Sequence, residues 1–210
     1  MPLQILPMEE ADFPGLVNIL FSAFSTGMTH KLAKRPLTPE YVQSSIDKHV
    51  KCFRTEPDCH YLKVVDTDLN GKMISCAKWR INEQELTEAQ AKRMLPEPGE
   101  DEEGNLAAQD FMRYLARVRA EYMGRKPFYL LHILVTDPQH QGRGAGAMLI
   151  KWGFEGADKA KLKAMLESTE SGKPLYTKLG FYDVHKETFD LAKYGGNGLD
   201  YSTVMFRDPA

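Results

Sequence analysis

The 210-residue sequence predicts an α/β (α+β) fold in which about seven strands form a central sheet flanked by helices. Three observations predict it. Apolar runs of strand length alternate with amphipathic runs of helical period, and no repeat of roughly twenty to fifty residues is present. The first half reads as strand, two helices and an antiparallel hairpin. The second half centres on an apolar strand that runs into a glycine-dense loop and then a helix, over Leu130 to Ile150.

Taken in order, Gln4 to Met8 is a short apolar strand. Asp12 reads as the cap of a helix whose Phe13, Leu16, Val17, Leu20, Phe21 and Phe24 recur on one face. Ser25 to Leu37 is a polar, basic loop. Thr38-Pro39-Glu40 starts a second helix, a cap hydroxyl followed by proline at the first position, and Val42, Ile46, Val50 and Phe53 carry its apolar stripe. Tyr61 to Val65 and Met73 to Ile81 flank Asp68-Leu69-Asn70-Gly71, and Asn-Gly between two such runs marks a hairpin. An insertion at about 83–126 follows. In it Thr87 to Leu95 is a short helix, Glu97 to Gly104 an acidic loop, and Ala107 to Tyr122 a longer helix. That helix sets Phe111, Leu115, Val118 and Tyr122 on one face, with Gly124 beyond its end. The acidic run Glu97, Glu100, Asp101, Glu102, Glu103 fits a solvated loop tip, or a lid that draws in a cationic amine. After the glycine loop and its helix, Leu162 to Ser168 is a strand and Gly172 to Leu179 a short helix. Phe181 to Leu191 and Ser202 to Phe206 form a closing antiparallel pair around the loop Gly195-Gly196-Asn197-Gly198.

The length suits a single domain over 1–210 with a full core. A net charge of -2 leaves no basic excess to grip nucleic acid. Cys52, Cys59 and Cys76 are an odd count without C-x-x-C spacing, which argues against a disulfide framework and a zinc site and for a reducing, cytoplasmic compartment. No signal-peptide pattern or bilayer-length apolar run is read, so no membrane partner is expected.

The junction at Leu130 to Ile150 is built to hold an anion. N–H groups in a helix's first turn face the ligand, the helix dipole adds about half a positive charge, and glycines let a phosphate reach the backbone. A P-loop would need Gly-Lys-Ser/Thr after four intervening residues, which is missing. A dinucleotide fingerprint would need G-x-G-x-x-G, whereas Gly142, Gly144 and Gly146 alternate. What the segment does contain is Val135-x-Asp137-Pro138 followed by Gln141-x-x-Gly144-x-Gly146, which resembles the acetyl-CoA signature of the GNAT superfamily of acyltransferases. Leu175-Tyr176-Thr177-Lys178-Leu179-Gly180-Phe181 is similar to a second segment of that superfamily, in the expected order and at the expected distance. The resemblance is carried by motifs over residues 127 to 183 and by element order elsewhere. It implies the GNAT fold, with a mixed, mostly antiparallel sheet, and acetyl-CoA as cosubstrate. It places the pyrophosphate on Gln141, Gly142, Arg143, Gly144, Ala145, Gly146 and Ala147, and the pantetheine and thioester on the backbone of Leu134, Val135 and Thr136. Arg143 reads as a solvent-facing neighbour of the phosphate. Leu134 or Val135 would supply the N–H that stabilises the oxyanion, beside a strand bulge.

Acetyl transfer to an amine also needs a proton for the leaving thiolate and a route for the amine's own proton. The resemblance makes Tyr176 the general acid, against the alternative that its ring only packs on the pantetheine. Glu167 ends the strand where related enzymes carry an acid near the amine; otherwise it is a surface carboxylate. His132 titrates near working pH and stands where the arylalkylamine N-acetyltransferases carry a relay histidine, although their second histidine is Leu130 here. The alternative is a satisfied core histidine. His30, His49, His60, His140 and His185 show no metal-ligand spacing, so no metal is expected. No Cys-His-Asp order resembles a covalent route, which favours direct attack in a ternary complex. The leading reading is an N-acetyltransferase of a small primary amine, a monomer or homodimer. The alternatives are a protein N-terminal or lysine acetyltransferase and a non-catalytic CoA-binding module.

Overall fold

The computed structural model describes residues 2–210. One seven-stranded sheet carries β1 (Leu3–Pro7), β2 (Cys59–Asp66), β3 (Lys72–Asn82), β4 (Phe128–Thr136), β5 (Ala164–Thr169), β6 (Tyr182–Asp190) and β7 (Leu199–Arg207). Their spatial order is β1-β2-β3-β4-β5-β7-β6. Every pairing is antiparallel except β4 with β5. The helices are α1 (Phe13–Ala23), α2 (Gly27–Lys31), α3 (Pro39–Thr55), α4 (Glu88–Arg93), α5 (Leu106–Tyr122), α6 (Ala145–Ala160) and α7 (Lys173–Lys178). The mixed, mostly antiparallel sheet expected from the sequence is the sheet observed.

Local chemistry accounts for the boundaries. The Thr38 hydroxyl accepts from the Tyr41 N–H at 3.2 Å and starts α3, with Pro39 in its first turn. Asn70 and Gly71 both take positive φ (55° and 77°), which lets the chain reverse between β2 and β3. Thr87 opens α4 with a capping box to Gln90. Asp12 departs from its expected role as the α1 cap. Its carboxylate instead accepts from the Glu9 N–H at 2.7 Å and pairs with Lys63 at 2.7 Å, closing a one-turn 3-10 segment that leads into α1. The polar stretch Ser25 to Leu37 was expected as loop, yet it contains α2, fastened by the Met28 N–H donating to Asp200. Five residues are too few to announce a helix by periodicity.

Two layers cover the sheet. On one face α6 and α7 pack over Leu62, Ile74, Trp79, Leu131 and Leu166. Trp79 is fully buried and donates its indole N–H to the Leu149 carbonyl at 3.2 Å. A Cβ at Gly153 would lie 2.3 Å from the indole, so glycine is needed where α6 crosses it. The other face carries α1 and α3 over β2 to β4, and α5 over β4, β5 and β7. The stripe of α5 is shifted from the one expected. Tyr114, Val118 and Arg119 are buried, while Phe111, Leu115 and Tyr122 are only partly so. The acidic loop before α5 is docked, because Asp101 pairs with Lys48 of α3 at 2.7 Å. Among the described residues no helix is long and apolar enough to cross a membrane.

Candidate active site

The two edges of β4 part at one place. β4 pairs with β5 only from Tyr129 to Leu131, while β5 continues along β7 as far as Thr169. On its other edge β4 shifts register against β3 between Leu131 and Ile133, so His132 is the extra residue of a bulge. The bulge turns His132 and Ile133 to the same face, where both line a cavity of about 420 Å³. Beyond it the strand resumes its alternation. The Asp137 N–H donates to the Ile74 carbonyl at 2.8 Å, directly across the register that pairs Ser75 with Thr136. Bonded pairs alternate in an antiparallel ladder, so Val135 is bonded to β3 and the Leu134 N–H points away, into the seam beside β5.

The glycine loop lies at the end of β4 on the α6 side. Gly142 and Gly144 take φ of 75° and 88°, and a Cβ at either would meet nothing within 4 Å. The Met148 N–H makes a helical bond to the Gly144 carbonyl. The preceding N–H groups of Ala145, Gly146 and Ala147 belong to the first turn, which has no intrahelical partners. These open positions and free donors fit a pyrophosphate. Gly146 serves packing as well, since a Cβ there would touch Leu175, Leu134 and Thr136 at 3.4 to 3.8 Å. Thr136 is held by Ser75, hydroxyl to hydroxyl at 2.9 Å. Gln141 is exposed at the loop's outer edge. Arg143 is exposed, and its guanidinium also pairs with the fully buried Asp66 at 2.5 Å, tying the loop to the end of β2.

Tyr176 sits on the same side, in contact with the parted end of β5. A Cβ at Gly172 would come within 2.9 Å of its ring and 3.3 Å of Thr169 Oγ1. The ring meets Phe181 edge to face, and burial raises the phenol's pKa above its usual value. Among the described residues no side chain hydrogen-bonds its hydroxyl, so the proton is retained and unengaged.

The cavity opens on the opposite face of the sheet, with walls from α1, α2, α3, α5, β3, β4, β5, β6 and β7. Glu167 lines it and is no surface carboxylate: Arg119 of α5 holds both its oxygens, at 2.8 and 3.2 Å, with both side chains almost fully buried. His132 lines it as well. Its Nδ1 accepts from Arg80 Nε at 3.3 Å, which leaves the ring proton on Nε2. Its pKa lies well below the usual histidine value, first through desolvation and then through the charges of Lys78, Arg119 and Arg80. Arg80 in turn is gripped by Glu56 at 2.6 Å and Asp58 at 2.9 Å. His49 donates to or accepts from the Tyr61 hydroxyl at 3.0 Å, and desolvation lowers its pKa to about 4.

Sequence reasoning missed Lys78, Arg80, Arg119 and Asp200. The signals were present: Lys78 and Arg80 interrupt an apolar strand at alternate positions, and Arg119 continues the Phe111, Leu115 spacing of α5. Also unforeseen is the meeting of Cys52, Glu56 and Cys59, with Sγ atoms 3.2 Å apart. Arg80, 3.8 Å from Cys52 Sγ, places a positive charge where a metal ion would have to sit.

Residues 102–183 match the family model of the GNAT acetyltransferase domain. Over that stretch the sequence is that of a GNAT acetyltransferase domain. The GNAT match spans both motifs, α5 and the seam between β4 and β5. A curated relative, the probable acyltransferase SID5 of Ajellomyces capsulatus, is 49% identical over 39 residues, which is 19% of this chain and 29% of that protein. Solved structures share the GNAT fold over the whole chain. A Corynebacterium glutamicum structure described as histone acetyltransferase HPA2 and related acetyltransferase has 18% identity and a TM-score of 0.64, covering 100% of this chain and 98% of its own. An agmatine N-acetyltransferase has 12% identity and a TM-score of 0.69, covering 99% and 100%. The Salmonella typhimurium yncA protein, solved with acetyl-CoA, has 12% identity and a TM-score of 0.58, covering 100% and 95%.

The Arg119–Glu167 pair braces the GNAT seam, and it yields a stability prediction. Arg119→Leu should lower unfolding free energy by about 3 to 5 kcal/mol, because it strands a buried carboxylate. Urea unfolding checks this, and the double variant Arg119→Leu, Glu167→Leu should regain most of the loss.

Proposed function

We propose that this chain is an acetyl-CoA-dependent N-acetyltransferase of a small primary amine, acting by direct attack while both substrates are bound. The observation that carries the reading is the seam. The free N–H of Leu134 faces it, the glycine loop and Tyr176 lie on one side, and a cavity of about 420 Å³ lies on the other. That volume falls in the range of small-molecule sites, and α5 closes one side of it with Phe111, Leu115 and Arg119.

Acetyl-CoA supplies the activated acyl group. The chain's own residues account for the rest. N–H groups of Ala145 to Ala147 hold the pyrophosphate, and the Leu134 N–H donates to the thioester oxygen as negative charge builds there. Tyr176 has a buried phenol free to give its proton to the departing sulfur. For the amine's proton, Glu167 is better placed than His132. The lone pair of His132 is taken by Arg80, and its low pKa makes it a weak base. Glu167 keeps lone pairs beyond those bonded to Arg119 and is the first residue of β5 past its last pairing with β4, where the seam opens.

The two candidate bases are separated by acceptor basicity. Alkylamines, with a pKa near 10, arrive protonated, whereas arylamines do not. Glu167→Gln should depress the alkylamine rate at least about tenfold more than the arylamine rate. His132→Ala should leave the ratio of the two unchanged. Because His132 is neutral well below pH 6.5, the wild-type rate should show no step there that the His132 variant lacks. A ratio that collapses in His132→Ala alone would restore histidine as the base. Lack of acetyl transfer to every amine class, alongside transfer to peptides, would favour a protein acceptor.

A further inference from the structure

The cavity contains a cation without a carboxylate partner. Lys78 is 5% exposed and lines the cavity from β3, opposite Ile133. Among the described residues no carboxylate lies within 4.0 Å of its Nζ. The acidic groups near it are engaged elsewhere: Glu56 and Asp58 with Arg80, Glu167 with Arg119, and Asp200 with the Met28 N–H. Its recorded neighbours are the Tyr61 ring, 5.4 Å from centroid to Nζ, and the Cys52 thiol, whose pKa is lowered to about 6, first by the hydrogen bond with Cys59 and further by the charge and hydrogen bond of Lys78. The charge of Lys78 also reaches across the cavity, where it helps hold His49 and His132 neutral. A buried ammonium without a carboxylate partner is expensive to keep. The expense is offset when a ligand brings a carboxylate of its own.

Resting on the reading of this cavity as the acceptor site, we infer that Lys78 anchors an anionic group of the acceptor, and that the preferred acceptor is an amine bearing a carboxylate. The rest of the lining suits such a molecule. Glu167 lies on β5 and Lys78 on β3, on either side of β4. Two strand spacings of about 4.8 Å, the second widened where β4 and β5 part, put their backbones at least roughly 10 Å apart. An amine at Glu167 and a carboxylate at Lys78 therefore need several bonds between them. This favours ω-amino acids over compact α-amino acids.

The test uses the full chain and two readouts. Turnover with acetyl-CoA is compared for 4-aminobutanoate, 5-aminopentanoate, 3-aminopropylphosphonate and n-butylamine, in wild type and Lys78→Met. The expected result is a kcat/KM at least tenfold higher for the amino acids than for butylamine, expressed mainly in KM, and a ratio that falls to about one in the variant. Calorimetric binding of 4-acetamidobutanoate is measured in parallel, and acetyl-CoA binding by Lys78→Met shows that the variant is folded. No preference for carboxylate in wild type, or a preference that survives Lys78→Met, overturns the anchor. A preference for the phosphonate overturns the choice of carboxylate. If no amine turns over yet 4-acetamidobutanoate binds in a Lys78-dependent way, the anchor stands and the acetyltransferase reading fails. If that binding is absent or ignores Lys78, the anchor fails whatever the turnover.

Discussion

Gly144→Asp is expected to lose acetyl-CoA binding while Gly144→Asn keeps much of it. Gly144 takes φ of 88° at the entrance to α6, and the space where a Cβ would go is open. Strain is therefore common to both variants, and asparagine is among the residues that bear a left-handed backbone best. What differs is charge. A carboxylate about 4 Å from a phosphate charge costs about 1 kcal/mol in water-like surroundings and about 4 kcal/mol near a protein surface. Affinity should fall roughly fivefold to a thousandfold relative to asparagine. The loop is exposed, so thermal unfolding of the two variants should coincide. Calorimetric titration with acetyl-CoA measures the difference, and equal affinities would remove the glycine loop as the pyrophosphate site.

Tyr176→Phe should cut turnover by about tenfold to a thousandfold with little change in acetyl-CoA affinity. The substitution keeps the ring that packs on Gly172 and Phe181 and deletes a hydroxyl that no described side chain engages. Its structural cost is therefore small, and a fall in kcat reports chemistry. Burial raises the phenol's pKa, so the proton stays on oxygen throughout the physiological range and the acid should show no titration of its own below about pH 10. Turnover unchanged with an alkylamine acceptor would reduce Tyr176 to packing.

The fold was legible because its punctuation is local. Thr38-Pro39, Asn70-Gly71 and Thr87 each satisfy backbone groups within a few residues, the glycine loop breaks strand from helix, and each marks the boundary it predicts. Asp12 misled because a helix cap and an ion pair use the same carboxylate, and the partner, Lys63, is distant in sequence. The cofactor side of the site was legible for the same reason as the turns, being one contiguous run. The acceptor side was not. Its cavity draws side chains from nine elements, and the roles of Glu167 and His132 depend on arginines 48 and 52 residues away. Spacing along the chain carries no record of such pairings. Lys78 shows the limit most clearly, since a charge in an apolar strand signals something buried without saying what it faces.

The parting of β4 from β5 makes the sheet a partition with a single slot, and that bears on the order in which molecules come and go. The glycine loop is reached from the α6 side, and the cavity from the side of α1, α3 and α5. On the proposed assignment of the two sites, the reactants would have separate entrances and would meet only at the slot. Neither would block the doorway of the other, so access by itself would impose no compulsory sequence of arrival, and the acetylated product could depart while the spent carrier is still in place.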